Sequence, residues 1–130
     1  MKNQLKIAFY GSSLVSAYWN GAATYYRGII KELNRLGHQI TFYEPDAYER
    51  QEHRDIPDPE WARVVVYDNN KESAHQVLAQ AAEADIVIKA SGVGVFDELL
   101  EEQVLRLRKE HQLVIFWDVD APATLERMTN

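Results

Sequence analysis

The stretch from Leu5 to Leu36 constrains the fold more than any other part of the sequence. It opens with LKIAFY, a short and mostly apolar run that ends at Gly11, as expected for a parallel strand covered on both faces. From Ala22 onward the apolar residues take a helical spacing, and Gly37 follows the last of them. A buried strand, a loop of small residues and an amphipathic helix that leads into a second strand form the opening unit of a doubly wound α/β domain.

Four further strands and three further helices are predicted along the rest of the chain. The strands are rich in β-branched and aromatic residues and are predicted at residues 38–44, 63–67, 85–90 and 113–117. Helical periodicity predicts helices at residues 71–84, 96–110 and 123–128. The polar segment 46–60 is predicted as a loop, in which residues 46–54 could form a helical turn.

Right-handed crossovers between these elements predict the architecture. We expect a three-layer α/β/α, Rossmann-like domain with a parallel sheet of about five strands in the order 3-2-1-4-5. At this chain length, residues 1–130 are predicted to form one domain around one core.

Composition narrows the classes of function. The net charge of −6 argues against a nucleic-acid surface. No apolar run approaches the roughly 20 residues of a membrane span, and the amino terminus lacks the apolar segment of a signal peptide. The sequence has no cysteine, and therefore no disulfide or thiolate metal site, so we predict a cytoplasmic protein without a metal.

Three loops are expected to meet at the carboxyl edge of the sheet, where doubly wound domains bind ligands. They comprise residues 11–21, 91–94 and 118–120, after the first, fourth and fifth strands. Small residues in the first two loops allow close approach to the backbone, and free N–H groups at a helix start attract anions or sugar hydroxyls. The predicted substrate-binding residues are Gly11, Ser12, Ser13, Tyr18, Trp19, Asn20, Gly21, Ser91, Gly92, Val93 and Gly94.

Several of these residues have an alternative structural interpretation. Tyr18 and Trp19 offer aromatic faces for a sugar or a base, but they could equally pack their loop against the core. Asn20 could cap the helix that follows it. Gly92 and Gly94 are explained by a tight turn as well as by a bound ligand.

Asp118 and Asp120 are the candidate catalytic acids. Their i, i+2 spacing after a strand places both carboxylates on one face of an extended backbone, where a pair can exchange protons or hold a divalent cation. Alternatively, Asp120 caps the last predicted helix. The histidines lie in separate elements without metal-ligand spacing, at positions His38, His53, His75 and His111.

Known phosphate-binding sequences are absent from the first loop. It lacks the GxxxxGK[ST] pattern, and it also lacks the GxGxxG fingerprint of dinucleotide-binding domains. A dinucleotide-dependent oxidoreductase is therefore disfavoured. Without the fingerprint, Glu44 at the end of the second strand is only a weak indication of a ribose contact.

Four stretches of the chain share the pattern of a known family: IAFYGSS, NGAATYYRGIIKELNRLGHQITFYEPD, ADIVIKASGVGVFDELL and LVIFWDVDAPATLE. Together they cover nearly the whole chain and resemble the N-terminal domain of GT-B-fold glycosyltransferases, in particular the bacterial CgeB-like, spore-protein-related group. The resemblance implies transfer of a sugar from a nucleotide-sugar donor, a co-substrate rather than a cofactor, to a small-molecule or glycan acceptor. By the same match, residues 11–13 and 20–21 face an interdomain cleft, with residues 91–94 and Asp118 beside them. Many relatives carry a histidine where Asp118 stands, so no histidine role is carried over.

The resemblance also implies a partner for this chain. In such enzymes a second Rossmann-like domain supplies most of the nucleotide-sugar site. We therefore expect a fragment of a longer enzyme, a half-enzyme with a partner chain, or a stand-alone domain without catalysis. A chain that ends within a predicted helix favours the fragment, which we expect to be inactive alone.

The alternative function is a non-catalytic nucleotide- or ligand-binding module. Such a module could self-associate as a homodimer. The expected interface is an apolar cleft surface at Tyr18, Trp19 and Val93.

Overall fold

A five-stranded parallel sheet in the order β3-β2-β1-β4-β5 forms the centre of the computed structural model, which describes residues 4–118. Its strands are β1 (Lys6–Tyr10), β2 (Gln39–Pro45), β3 (Arg63–Tyr67), β4 (Ile86–Ala90) and β5 (Leu113–Trp117). The α-helices of the described residues are α1 (Ala23–Arg35), α2 (Lys71–Ala79) and α3 (Asp97–Arg106). This order confirms the predicted α/β architecture and its switch point between β1 and β4.

Alternation along the strands divides the core into two apolar layers. On the α1 side, Phe9 stacks on Phe42 with ring centroids 5.1 Å apart and meets Tyr26 of α1 edge-on at 5.3 Å. On the α2 and α3 side, Tyr10 stacks on Tyr43 at 4.7 Å. Helices therefore cover both faces of the sheet, as expected for parallel strands with apolar residues on both sides.

The element boundaries differ from the prediction at several positions. The helix predicted at 71–84 is divided into α2 and a 3₁₀ helix (Gln80–Glu83), and the helix predicted at 96–110 ends at Arg106. Pro45 is the last residue of β2, where it pairs with Tyr67, rather than the residue after the strand. The expected helical turn after β2 is confirmed as a 3₁₀ helix (Arg50–His53).

Two further sequence predictions concern the last helix and the absence of a membrane span. The helix predicted at residues 123–128 lies outside the described residues. Within residues 4–118, no helix has the length and apolar character needed to cross a membrane.

Candidate ligand-binding site

A cleft of about 470 Å³ opens at the carboxyl edge of the sheet. Its walls come from the loops that follow β1, β2 and β4, the position where doubly wound folds bind ligands. Its volume suits a small molecule. The residues that line it are Tyr18, Trp19, Tyr48, Glu49, Arg50 and Gly94.

Arg50 joins the loops on both sides of this cleft. Its buried side chain donates to the carbonyl oxygens of Tyr18 at 3.3 Å and Trp19 at 3.1 Å, with a longer contact of 3.5 Å to Val93. Among the ion pairs of residues 4–118, none involves Arg50. Burial lowers the pKa of Arg50, but a guanidinium stays protonated at neutral pH. The cleft wall therefore contains a positive charge that forms no ion pair within residues 4–118, and its guanidinium lies over the ring of Tyr48, 4.9 Å from the ring centroid.

Three residues of the cleft wall have a left-handed backbone although none is glycine. Trp19, Tyr48 and Glu49 have φ values of 48°, 56° and 58°. Such a conformation costs on the order of 1–3 kcal/mol per residue. Trp19 is 83% exposed and Tyr48 is 51% exposed, so burial of these rings does not offset the cost. Backbone strain of this kind clusters at functional sites.

Tyr48 lies directly against Gly94 across the cleft. Its hydroxyl donates to the Gly94 carbonyl at 2.8 Å. Gly94 has a φ of 99°, and a Cβ there would lie 2.5 Å from Cε2 of Tyr48. The Gly94 loop is held by Asp97, whose carboxylate accepts from the N–H groups of Val93 at 3.1 Å and Gly94 at 2.9 Å. Glycine is therefore required at position 94 for the cleft to keep this shape.

The polar side chains of the first loop point into the protein, towards the loop itself and the segments beside it. Ser12 donates to Oδ1 of Asn20 at 2.7 Å, and Nδ2 of Asn20 donates to the carbonyl oxygens of Ser13 and Ser16, both at 2.9 Å. All four residues are buried. The capping alternative for Asn20 is wrong, because the N-cap of α1 is Ala22, whose side chain makes no capping hydrogen bond. These residues set the shape of the loop, and their contact with a ligand stays a prediction.

Glu44 connects the first loop to β2. Its fully buried carboxylate accepts from Oγ of Ser13 at 2.6 Å, from the N–H of Leu14 at 3.0 Å and from Nε2 of Gln51 at 2.6 Å. Burial raises the pKa of Glu44, although these hydrogen bonds favour its ionised form. Both oxygens are engaged within the protein, which argues against the ribose contact.

Tyr18 and Trp19 behave differently despite being neighbours. Tyr18 is half-buried and stacks on His53 with ring centroids 4.0 Å apart, so it packs within the protein. Trp19 is not packed against the core, and the packing alternative is wrong for it. Val93 is fully buried, so the predicted apolar surface for self-association is also wrong at that position. The side chain of Val93 belongs instead to the buried core cluster beneath α3 that also contains Leu100.

Two residues predicted on different loops do meet. Oγ of Ser91 donates to Oδ1 of Asp118 at 3.2 Å, beside the bond from the Ser91 N–H to the Trp117 carbonyl at 2.8 Å. Asp118 is exposed and is not among the residues that line the cleft. Its catalytic role stays a prediction, and Asp120 lies outside the described residues.

Sequence reasoning missed the part of the cleft that follows β2. Tyr48, Glu49 and Arg50 were absent from the predicted set because segment 46–60 reads as an irregular connection. A signal was available: parallel strands end at the same edge, so the loop after β2 had to lie beside the loop after β1.

A group of potential metal ligands lies beside the cleft on the 3₁₀ helix. Glu49, Glu52 and His53 each offer one atom, and these atoms lie within 4.8 Å of one another. All three side chains are exposed, as acidic surface groups commonly are. This grouping alone assigns no metal.

Asp55 fastens the first loop from outside, and its titration gives a testable pH dependence. It accepts two hydrogen bonds from Arg27, both at 2.8 Å, and one from the N–H of Ala17 at 3.0 Å. The hydrogen bonds from Arg27 are the main cause that lowers the pKa of Asp55 to about 2. A folded-state pKa below the unfolded value stabilises the fold above about pH 4, and this contribution is lost as the pH falls through about 2.

We therefore expect Asp55→Asn to remove part of the acid sensitivity of the melting temperature. The side chain is 47% exposed, so solvent screening limits the contribution to about 1 kcal/mol or less. Melting curves from pH 5 to about pH 2 would measure it. Parallel pH profiles for the wild type and Asp55→Asn would contradict this role of Asp55.

No family model, curated protein or solved structure matches the chain. The fold and the cleft define a class: a doubly wound α/β domain with an aromatic-lined cleft at the carboxyl edge of its sheet.

Proposed function

We propose that the chain is the acceptor-side domain of a GT-B-fold glycosyltransferase and that its cleft binds a sugar-bearing ligand. The observation that carries this proposal is the exposed ring of Trp19, held at a strained backbone position in the cleft wall. The resemblance of the IAFYGSS and WDVDAPAT stretches to that family supports the same assignment.

The energetics of Trp19 favour a binding role over a structural one. Burying a large apolar side chain contributes about 1.5–3 kcal/mol, and Trp19 forgoes most of it. Arg50 fixes the carbonyl of Trp19, so the backbone that carries the ring is held in place. Less backbone freedom is then lost when a ligand stacks on the ring. The exposed Glu49 carboxylate in the same wall can accept hydrogen bonds from hydroxyl groups.

Transfer requires the donor and the acceptor to be held together. We propose that a second domain or a partner chain supplies the nucleotide-sugar site. The chain alone then binds its ligand without turnover. Sustained sugar transfer by the chain alone, abolished by Asp118→Ala, would instead assign catalysis to this domain.

Trp19→Ala tests the binding role. We expect affinity to fall about tenfold or more for whichever ligand binds tightest in a panel of simple sugars, nucleotides and nucleotide sugars, because aromatic stacking contributes about 1–3 kcal/mol. Thermal-shift screening would find that ligand, and calorimetric titration would measure its affinity. The melting temperature itself is expected to change little, since Trp19 is largely exposed.

Tyr25→Ala is the matched control for this experiment. Tyr25 is another exposed aromatic residue, on α1, and does not line the cleft. Its replacement is expected to leave binding unchanged. The proposal fails if no member of the panel binds, or if both variants bind like the wild type.

A non-catalytic nucleotide-binding module is the second candidate. The observation in its favour is the guanidinium of Arg50 in the cleft wall, which forms no ion pair among residues 4–118, since arginine suits phosphate groups. UDP, GDP, ADP and TDP would each be compared with the matching nucleotide sugar. Equal stabilisation by a nucleotide with and without its sugar would favour this candidate over the acceptor-side domain.

A further inference from the structure

The edge strand β5 has an outer side suited to further pairing. Within residues 4–118, no strand lies on that side. Its sequence, LVIFW, carries no charge and no proline, and Leu113, Ile115 and Phe116 are exposed. The opposite edge strand, β3, begins with the exposed Arg63. Natural edge strands are usually protected by charges, proline or bulges, so within residues 4–118 β5 is an unprotected template for another strand.

The hydrogen bonds to β4 show which backbone groups of β5 remain available. The N–H of Leu113 donates to Asp85, and the carbonyl of Trp117 accepts from Ser91. Backbone groups of successive residues in a strand point to opposite sides, so Ile115 at the centre also faces β4. Val114 and Phe116 alternate with these three residues, so their N–H and C=O groups point outward.

We propose that β5 pairs antiparallel with β5 of a second copy of this chain, about a two-fold axis at Ile115. The residues whose backbone N–H and C=O groups point outward are Val114 and Phe116. With the axis at residue 115, Val114 of each copy lies opposite Phe116 of the other copy. Each such pair exchanges two hydrogen bonds, so this register engages every outward backbone group of β5. The two sheets become one continuous sheet through an isologous interface.

The side chains fit the same register. Ile115 meets its own counterpart in a non-hydrogen-bonded pair, in which Cα atoms lie about 4.5 Å apart. Leu113 lies opposite Trp117 of the second copy, and Phe116 lies opposite Val114. Every cross-strand pair is apolar, and such pairs are the stabilising unit of a sheet.

Charges on α3 favour the antiparallel arrangement. A groove of about 470 Å³ between α3 and β5 is lined by Glu98, Glu101, Glu102, Leu105 and Phe116. Arg106 ends α3, and Arg108 and Lys109 follow it. A two-fold axis at the middle of β5 brings the acidic end of one α3 towards the basic end of the other. A parallel arrangement would bring like charges together.

Light scattering after size exclusion would measure the oligomeric state of the whole chain. At about 0.5 mM, well above the Kd of a μM dimer, we expect a mass of twice 15.0 kDa. Ile115→Lys is expected to give a monomer, because two lysines would meet at the axis. Val66→Lys on the opposite edge is the matched control, since Val66 is 37% exposed and Ile115 is 38% exposed, and it is expected to stay dimeric.

A cysteine at the axis provides a second readout. The chain has no cysteine of its own, so Ile115→Cys can be cross-linked only to itself. Mild oxidation is expected to give a covalent dimer with Ile115→Cys and far less with Val66→Cys. Circular dichroism would show that each variant keeps its fold. A wild-type mass of 15.0 kDa at that concentration, or a dimer that survives Ile115→Lys, would overturn the proposal.

Discussion

Replacing Asp97 with alanine should lower the free energy of unfolding by about 4 kcal/mol. The ammonium group of Lys89 is fully buried and lies 2.8 Å from Oδ1 of Asp97. Without that carboxylate, the partners that Lys89 keeps among residues 4–118 are the Ala90 carbonyl at 2.6 Å and the more distant carboxylate of Glu101 at 3.7 Å. A buried charge that loses its partner is strongly destabilising, typically by about 3–5 kcal/mol. Urea unfolding followed by circular dichroism would measure the loss.

Glu101→Gln is the matched control, because it also removes one carboxylate near Lys89. It leaves the shorter pair with Asp97 intact, and Glu101 is about half exposed. We expect it to cost about 1 kcal/mol or less. Equal losses in Asp97→Ala and Glu101→Gln would show that the two carboxylates share the charge of Lys89 evenly, which would contradict the dominant role of Asp97.

Asp97→Ala is also expected to loosen the wall of the cleft that contains Gly94. The carboxylate of Asp97 accepts hydrogen bonds from the N–H groups of Val93 and Gly94, and the carbonyl of Gly94 accepts a hydrogen bond from the hydroxyl of Tyr48. Hydrogen exchange at these two amides should therefore accelerate in Asp97→Ala more than the global loss of stability explains.

The sheet could be predicted from sequence because its strands are distinctive. RVVVY and LVIFW are short apolar runs between polar segments, and they coincide with β3 and β5. Right-handed crossovers then leave little freedom in strand order. The end of α3 was not predictable in this way. Gln112, six residues beyond the helix, donates to the carbonyls of Ala81 and Ala84, and this tertiary contact fixes the turn into β5.

The candidate site was predictable in position but not in composition. The topology places the loops after β1 and β4 at one edge, and the structure has the cleft there. Which polar side chains face inward depends on partners distant in sequence: Ser13 bonds to Glu44, 31 residues away. Within residues 4–118, the hydrogen bonds of Arg50 go to backbone carbonyls of other loops, and no residue pattern encodes such partners.

Gly11→Ala is the second substitution with a large expected effect, a loss of about 3 kcal/mol in the free energy of unfolding. A Cβ on Gly11 would lie 2.6 Å from Cζ of Phe42, closer than a packed core allows. The ring of Phe42 cannot easily move aside, because it is fully buried and lies between Phe9 at 5.1 Å and Tyr26 at 5.5 Å. Overpacking of this kind forces strained rotamers or backbone shifts. Chemical denaturation monitored by tyrosine and tryptophan fluorescence would measure the loss.

Gly28→Ala makes the same chemical change where the opposite sign is expected. Gly28 lies inside α1, and within the part of the chain that the structure describes, a Cβ there would meet no atom within 4 Å other than its chain neighbours and the adjacent helix backbone. Alanine in a helix interior is favoured over glycine by about 1 kcal/mol, so this variant should be more stable than the wild type.

Comparison of Gly11→Ala with Gly28→Ala also separates two roles for Gly11. If glycine is needed there for a ligand to approach the backbone, Gly11→Ala would keep its stability and lose only binding. If the glycine is needed for Phe42 to pack, as the contact distance indicates, stability falls whether or not a ligand is present.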